Sequence, residues 1–293
     1  MYNKKRIVLM IFLLLFGLFL GLITKVYEKR FISRENAEVV KSYSIFEKTS
    51  NYKKENRERY IRYYEKNKSL SYENVVTDVN IGLDYGFYDY IGKTDTNKDI
   101  LMLTNKYLKL SSDYKPSDLE MINEKYFING NKSYNMLRKP AKEAFERLSM
   151  DSIKNSTPVY GQSAYRSYER QSVLYDKAIK NYGKEKADMD TARPGHSEHQ
   201  TGLTIDVSSN KQGNMLSFEN TQSFTWMRDN AYKYGFILRY PKGKENIHGY
   251  IYEAWHYRYV GKKVAKDMHD NYSNLTYDEY YYKFIDNKKG PKS

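Results

Sequence analysis

Residues Thr191 to Val207 read TARPGHSEHQTGLTIDV, and the pattern within them decides how the rest of the chain is read. His199 and Asp206 flank Gly202 at a spacing that suits two ligands of one metal ion. Leu203, Ile205 and Val207 alternate with Gly202, Thr204 and Asp206, so a strand here turns its apolar set to a core and Asp206 to the opposite face. His199 then sits on the loop feeding that strand. Far downstream, Glu253-Ala254-Trp255-His256 supplies a second imidazole beside an acid. If His256 comes from a later strand, His199, Asp206 and His256 form a two-histidine, one-carboxylate set, which leaves a catalytic zinc one open position for water. Glu253 is then a candidate base acting on that water. Residues three apart point to opposite faces of a regular strand, so a bulge or a strand end near Ala254 has to re-aim Glu253 or His256.

Any one of these residues alone would read as an ordinary surface or hydrogen-bonded side chain. The chain has five histidines, however, and three of them fall in these two stretches. His196 is a rival ligand, three residues before His199 and able to share a helical face with it. Pro194-Gly195 argues against a helix there, so His196 is read as a loop residue lining or hydrogen-bonding the site. There are no cysteines. Disulfides and thiolate zinc sites are excluded, and any metal must use histidine and carboxylate.

The run Ser197 to Asp206, SEHQTGLTID, resembles the SxHxxGxAxD signature of the VanY-like zinc D-alanyl-D-alanine carboxypeptidases, which have a hedgehog/DD-peptidase-like fold, and Glu253 to His256 resembles their ExWH. In the same order, Ser163 to Tyr168 is similar to the family's SGYRSY, Asp113 to Pro116 to its DYxP, and Tyr234 to Pro241 to a YGFILRYP-like segment. The resemblance covers roughly residues 70 to 265. Thr204 stands where the family has Ala, Ala164 for Gly and Ala254 for Pro, and none of these removes a ligand or the base. The resemblance implies removal of a C-terminal D-alanine from peptidoglycan stem peptides, with Zn as cofactor and with Arg166 matching the family's arginine. Arg166 would stabilise the developing oxyanion or clamp the substrate. Ser197, Gln171 and Trp255 are further pocket candidates, Trp255 equally readable as core. Pocket shape, not the metal motif, separates this activity from an L,D-carboxypeptidase or an endopeptidase. A non-catalytic wall-binding module on the same fold has no use for Glu253.

Taken from its start, the chain opens with Met1 to Arg6, MYNKKR, and an apolar run from Ile7 to Ile23. About 17 residues is the short end for a spanning helix, and no small-x-small cleavage site follows. Residues 1–24 are therefore expected to be a cytoplasmic tip and signal anchor, placing the protein in the cell membrane as a single-pass chain with its catalytic domain extracytoplasmic. Residues 25–70 are rich in Lys, Glu, Asn, Arg and Tyr and read as a charged, partly helical stalk. The catalytic domain is expected over 71–275 and a polar tail over 276–293. The net charge of +13 suits an acidic neighbour. Outside a membrane that neighbour is a cell-wall polymer or anionic lipid, not nucleic acid, and the 32 tyrosines are scattered without a single-strand-binding pattern. A monomer is expected.

Within the domain, Val75, Val76 and Val79 have helical spacing, and Asp99 to Leu103 reads as a short strand. Lys139-Pro140 opens a helix burying Ala141, Ala144, Phe145 and Leu148. Strands are expected over Val159 to Arg166, Phe236 to Tyr240 and Tyr250 to Tyr259, with helices over Tyr168 to Tyr182 and after Ser223. The fold class is α+β, with helices packed on a central antiparallel-rich sheet that carries the zinc site.

Overall fold

The computed structural model describes residues 20–25, 27, 41–128 and 135–286 of the 293. It divides into two compact units, 1–79 and 80–293. In the first, a helix over 41–48 (α1), α2 (Arg57–Lys66) and the start of α3 (Tyr72–Ile81) enclose an aromatic core in which Phe46, Tyr60, Val75, Val76 and Val79 are fully buried. Phe46 meets Tyr72 edge-on with ring centroids 4.9 Å apart, a favoured aromatic geometry.

The expected anchor over 7–23 lies outside the described residues except for 20–23. Among the described residues no helix is long and apolar enough to cross a membrane, since a span needs about 20 consecutive apolar residues. The single-pass placement in the cell membrane is corrected accordingly.

The second unit is built on a four-stranded antiparallel sheet in the order β5 (Tyr160–Ser163), β6 (Thr204–Ser208), β8 (His256–Tyr259), β7 (Phe236–Leu238). Two small pairs precede it: β1 (Gly92–Lys93) beside β2 (Leu108–Lys109), and β3 (Leu119–Met121) beside β4 (Met136–Arg138). Then follow α4 (Lys139–Lys154), β5 (Tyr160–Ser163), α5 (Tyr168–Tyr182), α6 (Lys184–Asp190), β6 (Thr204–Ser208), α7 (Gln222–Asn230), β7 (Phe236–Leu238), α8 (Glu245–His248), β8 (His256–Tyr259), α9 (Gly261–Asn271) and α10 (Tyr277–Phe284).

One face of β6 and β8 presents Ile205, Val207 and Tyr257 to the main core, where they meet Ala141, Ala144, Phe145 and Leu148 of α4. This is the helix face expected from the 3.6-residue period, and Pro140 occupies its tolerated first turn. The opposite face carries Thr204, Asp206, His256 and Arg258. At the β5–β6 contact the register slips between Gly161 and Ser163. A side chain at Gly161 would lie 2.6 Å from the Phe127 ring and 2.8 Å from Ile205, so glycine is required where β5 presses onto the core.

Three expected elements differ. Asp99 to Leu103 is not a strand; a 3-10 turn spans Thr96–Leu101, capped by Asp95, whose carboxylate accepts the Asn97 N–H at 3.1 Å, a local bond that competes with strand pairing. The strand expected from Tyr250 begins only at His256. Residues 276–286, expected in a polar tail, contain instead α10, opened by a capping box between Thr276 and Glu279 and burying Tyr277, Asp278, Tyr280, Tyr281 and Tyr282. Its buried groups are phenol rings and one paired acid, so composition alone made it look polar.

Candidate metal centre

His199 lies in a buried 3-10 turn, Glu198–Thr201, ended by Gly202 in the left-handed conformation (φ 67°). A side chain at Gly202 would also meet Leu119 at 2.8 Å. The turn delivers the chain into β6, where Asp206 pairs in register with His256, the first residue of β8. That register puts a carboxylate and an imidazole side by side on the polar face of the sheet. Glu253 lies before the strand, in a turn closed by the His256 N–H on the Glu253 carbonyl at 3.2 Å. Because the strand has not yet begun, Glu253 and His256 reach the same side despite their spacing.

The donor atoms of His199, Asp206 and His256 lie within 4.8 Å of one another, and all three residues are buried. His199 Nε2 is 3.3 Å from Asp206 Oδ2, and His256 Nδ1 is 3.1 Å from Asp206 Oδ1 and 3.2 Å from Glu253 Oε2. His199 Nδ1 is 2.7 Å from the carbonyl oxygen of Ala164. A carbonyl only accepts, so Nδ1 carries the proton and Nε2 presents its lone pair to the centre. Asp206 Oδ1 is buried without a hydrogen-bond partner despite its closeness to His256 Nδ1. Atoms so close yet misaligned for each other fit ligands that share a third centre, and two imidazoles with a carboxylate suit zinc.

Burial alone would raise the Asp206 carboxyl, but His199 and His256 hold it well below the usual carboxylate range. Burial pushes His199 down and Glu253 up, His256 partly offsetting the latter. Burial opposes charge on His256, whereas Asp206, Glu198 and Glu253 together raise it well above an ordinary histidine.

These groups floor a cavity of about 260 Å³ that Ser197, Trp255, Asp190, Met215 and Tyr250 also line. Arg166 enters it with Nη2 4.0 Å from Asp206 Oδ2. Its Nη1 donates to Gln171 Oε1 at 2.9 Å and its Nη2 to Ser163 Oγ at 3.2 Å, while Gln171 Nε2 donates to the Ala192 carbonyl at 2.7 Å. Gln171 is 1% exposed and acts as a strut between Arg166 and the 191–193 loop. Ser197 is buried at the cavity wall, and Trp255 both lines the cavity and packs on the main core.

His196 is not among the converging donors. Its Nδ1 lies 2.7 Å from the Asn105 carbonyl and its ring stands edge-on to Tyr88. Burial lowers its pKa to about 4, and that of His248 likewise. In the unfolded chain both titrate near 6.5. As pH falls from 6.5 towards 4 the unfolded chain therefore takes up protons that the folded one refuses. The contribution is complete above pH 6.5 and is lost below it, by up to about 3 kcal/mol per histidine. Urea midpoints at pH 7 and 4.5 measure this, and equal midpoints would show both imidazoles to be solvated.

Behind the site is a charge cluster that the sequence did not reveal. Glu198, fully buried, accepts from Arg239 Nε at 2.9 Å and from Arg258 Nη1 at 2.8 Å, both on Oε1. Arg239 Nη1 donates to Asp278 Oδ2 of α10 at 2.6 Å, and Asn105 Nδ2 to Asp278 Oδ1 at 2.7 Å. Arg258 Nη2 also donates to the Met102 carbonyl at 2.7 Å. Burial would raise Glu198, but Arg239 and Arg258 hold its carboxyl well below the ordinary range. Tyr240 sets its ring against that of His256, centroids 4.7 Å apart and tilted by 40°, and also lines the cavity.

The α+β domain thus gathers two imidazoles, an aspartate and a further glutamate around one point, a donor set that suits a metal ion. Residues 134–262 match the VanY, D-alanyl-D-alanine carboxypeptidase, family. YodJ of Bacillus subtilis (strain 168) is 44% identical over 188 residues, covering 64% of this chain and 68% of that protein. A D-alanyl-D-alanine carboxypeptidase of Enterococcus faecium is 32% identical over 190 residues, covering 62% of this chain and 57% of that one. Among solved structures, the LD-carboxypeptidase LdcB is 41% identical with a TM-score of 0.61, over 67% of this chain and 91% of that one. The vancomycin-resistance D,D-pentapeptidase VanY, as a mutant in complex with Zn(II), is 28% identical with a TM-score of 0.52, over 61% and 97%. The chain belongs to the VanY D-alanyl-D-alanine carboxypeptidase family.

Proposed function

We propose that this protein is a zinc carboxypeptidase that releases the C-terminal D-alanine of peptidoglycan stem peptides. The observation that carries it is the convergence of His199, Asp206 and His256 with a second carboxylate, Glu253, 3.2 Å from His256 Nδ1. His199 Nε2, the Asp206 carboxylate and His256 Nδ1 would hold the metal. A bound zinc supplies Lewis acidity and lowers the pKa of water. Glu253 takes a proton from the attacking water and returns it to the leaving amine, and a pKa raised by burial suits both halves of that exchange. Arg166 faces the carbonyl oxygen as charge develops on it, or pairs with the terminal carboxylate. Ser197 and Trp255 bound the peptide.

A second reading concerns the bond. Similarity to the LD-carboxypeptidase LdcB (41%) exceeds that to the D,D-pentapeptidase VanY (28%), which favours cleavage between an L-centre and the terminal D-alanine over cleavage of D-Ala-D-Ala. Mass analysis after incubation with tri-, tetra- and pentapeptide stems decides it. An L,D-enzyme shortens the tetrapeptide, a D,D-enzyme the pentapeptide, and release of D-alanine from neither overturns the proposal.

Gln171 provides an independent check on Arg166. In Gln171→Ala the guanidinium loses one of its supports, so kcat/KM should fall by roughly 10- to 100-fold, the cost of a small misplacement, while zinc content stays unchanged. Steady-state kinetics with metal analysis test this, and unchanged kinetics would mean that Gln171 does not position Arg166.

A further inference from the structure

Beside His256 lies Glu198, a fully buried acid at the cavity wall with no place in the proposed chemistry. His256 Nε2 is buried without a hydrogen-bond partner, and Glu198 Oε2 lies 3.9 Å from it. The two oxygens of Glu198 are held unequally. Oε1 takes both guanidinium groups, at 2.9 and 2.8 Å, whereas Oε2 has only the Thr204 hydroxyl at 3.4 Å besides the imidazole. An imidazole that gives Nδ1 to a metal must carry its proton on Nε2. Oε2 lies 3.9 Å from that nitrogen, and closing the gap by about 1 Å makes a charge-assisted hydrogen bond.

We propose that Glu198 is a positioning residue that fixes His256 in the tautomer and orientation needed to bind the metal through Nδ1, and that Arg239, Arg258 and Asp278 hold Glu198 in place to do so. This rests on the zinc reading given above. Outer carboxylates that accept from ligand imidazoles orient the ring and raise its basicity, and their loss typically weakens metal binding by roughly 10- to 100-fold. The two guanidinium groups on Oε1 prevent Glu198 from turning away, so its second oxygen stays on the side of the ring. Thr204, a departure from the family's usual Ala, adds a donor to that same oxygen.

The test uses the full-length protein and zinc alone, titrated against a competing chelator. Glu198→Gln keeps the shape but replaces the accepting anion, and its zinc affinity should fall by roughly 10- to 100-fold. Leu148→Ala, which loosens the main core on the other side of the sheet, controls for destabilisation and should bind zinc as the parent does. Equal affinities in all three proteins overturn the role of Glu198 while leaving the metal reading intact. Failure of the parent to bind zinc overturns both. If Glu198→Gln does not fold, the zinc-loaded parent still decides: with histidine nitrogens labelled, His256 should show a slowly exchanging, far-downfield Nε2–H resonance. A proton on Nδ1, or an Nε2–H that exchanges as in open water, overturns the proposal.

Discussion

Glu253→Ala should retain zinc and stem-peptide binding while D-alanine release falls by about 10²- to 10⁴-fold, the usual contribution of a placed general base. Glu253 faces the ligands from the turn before β8 and does not belong to the strand pairing that assembles them, so its removal leaves the His199–Asp206–His256 set intact. It also leaves no buried partner charge stranded, because His256 keeps Asp206 at 3.1 Å. Glu253→Gln, which preserves volume and removes basicity, should be comparably impaired. Turnover measured beside metal content separates the outcomes: lost zinc would make Glu253 a ligand, and unchanged turnover would place the base elsewhere. Intact zinc and peptide binding with no cleavage by the parent would instead favour a wall-binding module.

The second large effect concerns the ligands. His199→Ala, Asp206→Ala or His256→Ala should each weaken zinc binding by more than the roughly 10- to 100-fold that loss of an outer partner costs, and abolish turnover with it. His196→Ala should keep its zinc, because the His196 ring is engaged with Asn105 and Tyr88 on the other side of the loop. Metal analysis of the four variants checks this, and zinc lost from His196→Ala but kept in His199→Ala would reverse the assignment. Chelation of the parent should reproduce the ligand variants and also lower its melting temperature, since a ligand of the folded state stabilises by mass action.

The sequence made the convergence of His199, Asp206 and His256 legible because local rules govern it. Period-two alternation places Asp206 opposite the core-facing Ile205 and Val207, and Gly202 marks the turn that feeds the strand. The α4 face followed from its 3.6-residue period in the same way. What stayed hidden depends on distant pairing. Glu198 meets Arg239 and Arg258, and Arg239 meets Asp278, over separations that leave no periodic trace, so Glu198 read only as an acid between Ser197 and His199. Gln171 was legible as a pocket residue but not as the strut of Arg166, because its partner Ala192 offers a backbone carbonyl, which any residue type supplies. The α10 helix was missed because its tyrosines read as polar in bulk although their rings pack inward.

The Asp278 contact has a consequence for the order in which the protein can be made. Synthesis runs from the amino end, and His256 completes the ligand set before α10 has been added. At that stage Arg239 lacks its Asp278 partner, and the Tyr277 ring that packs against the Arg239 and Arg258 guanidinium groups is absent. A nascent chain that already carries His199, Asp206 and His256 should therefore hold its metal pocket loosely, and the pocket sets only when Asp278 arrives to pair with Arg239.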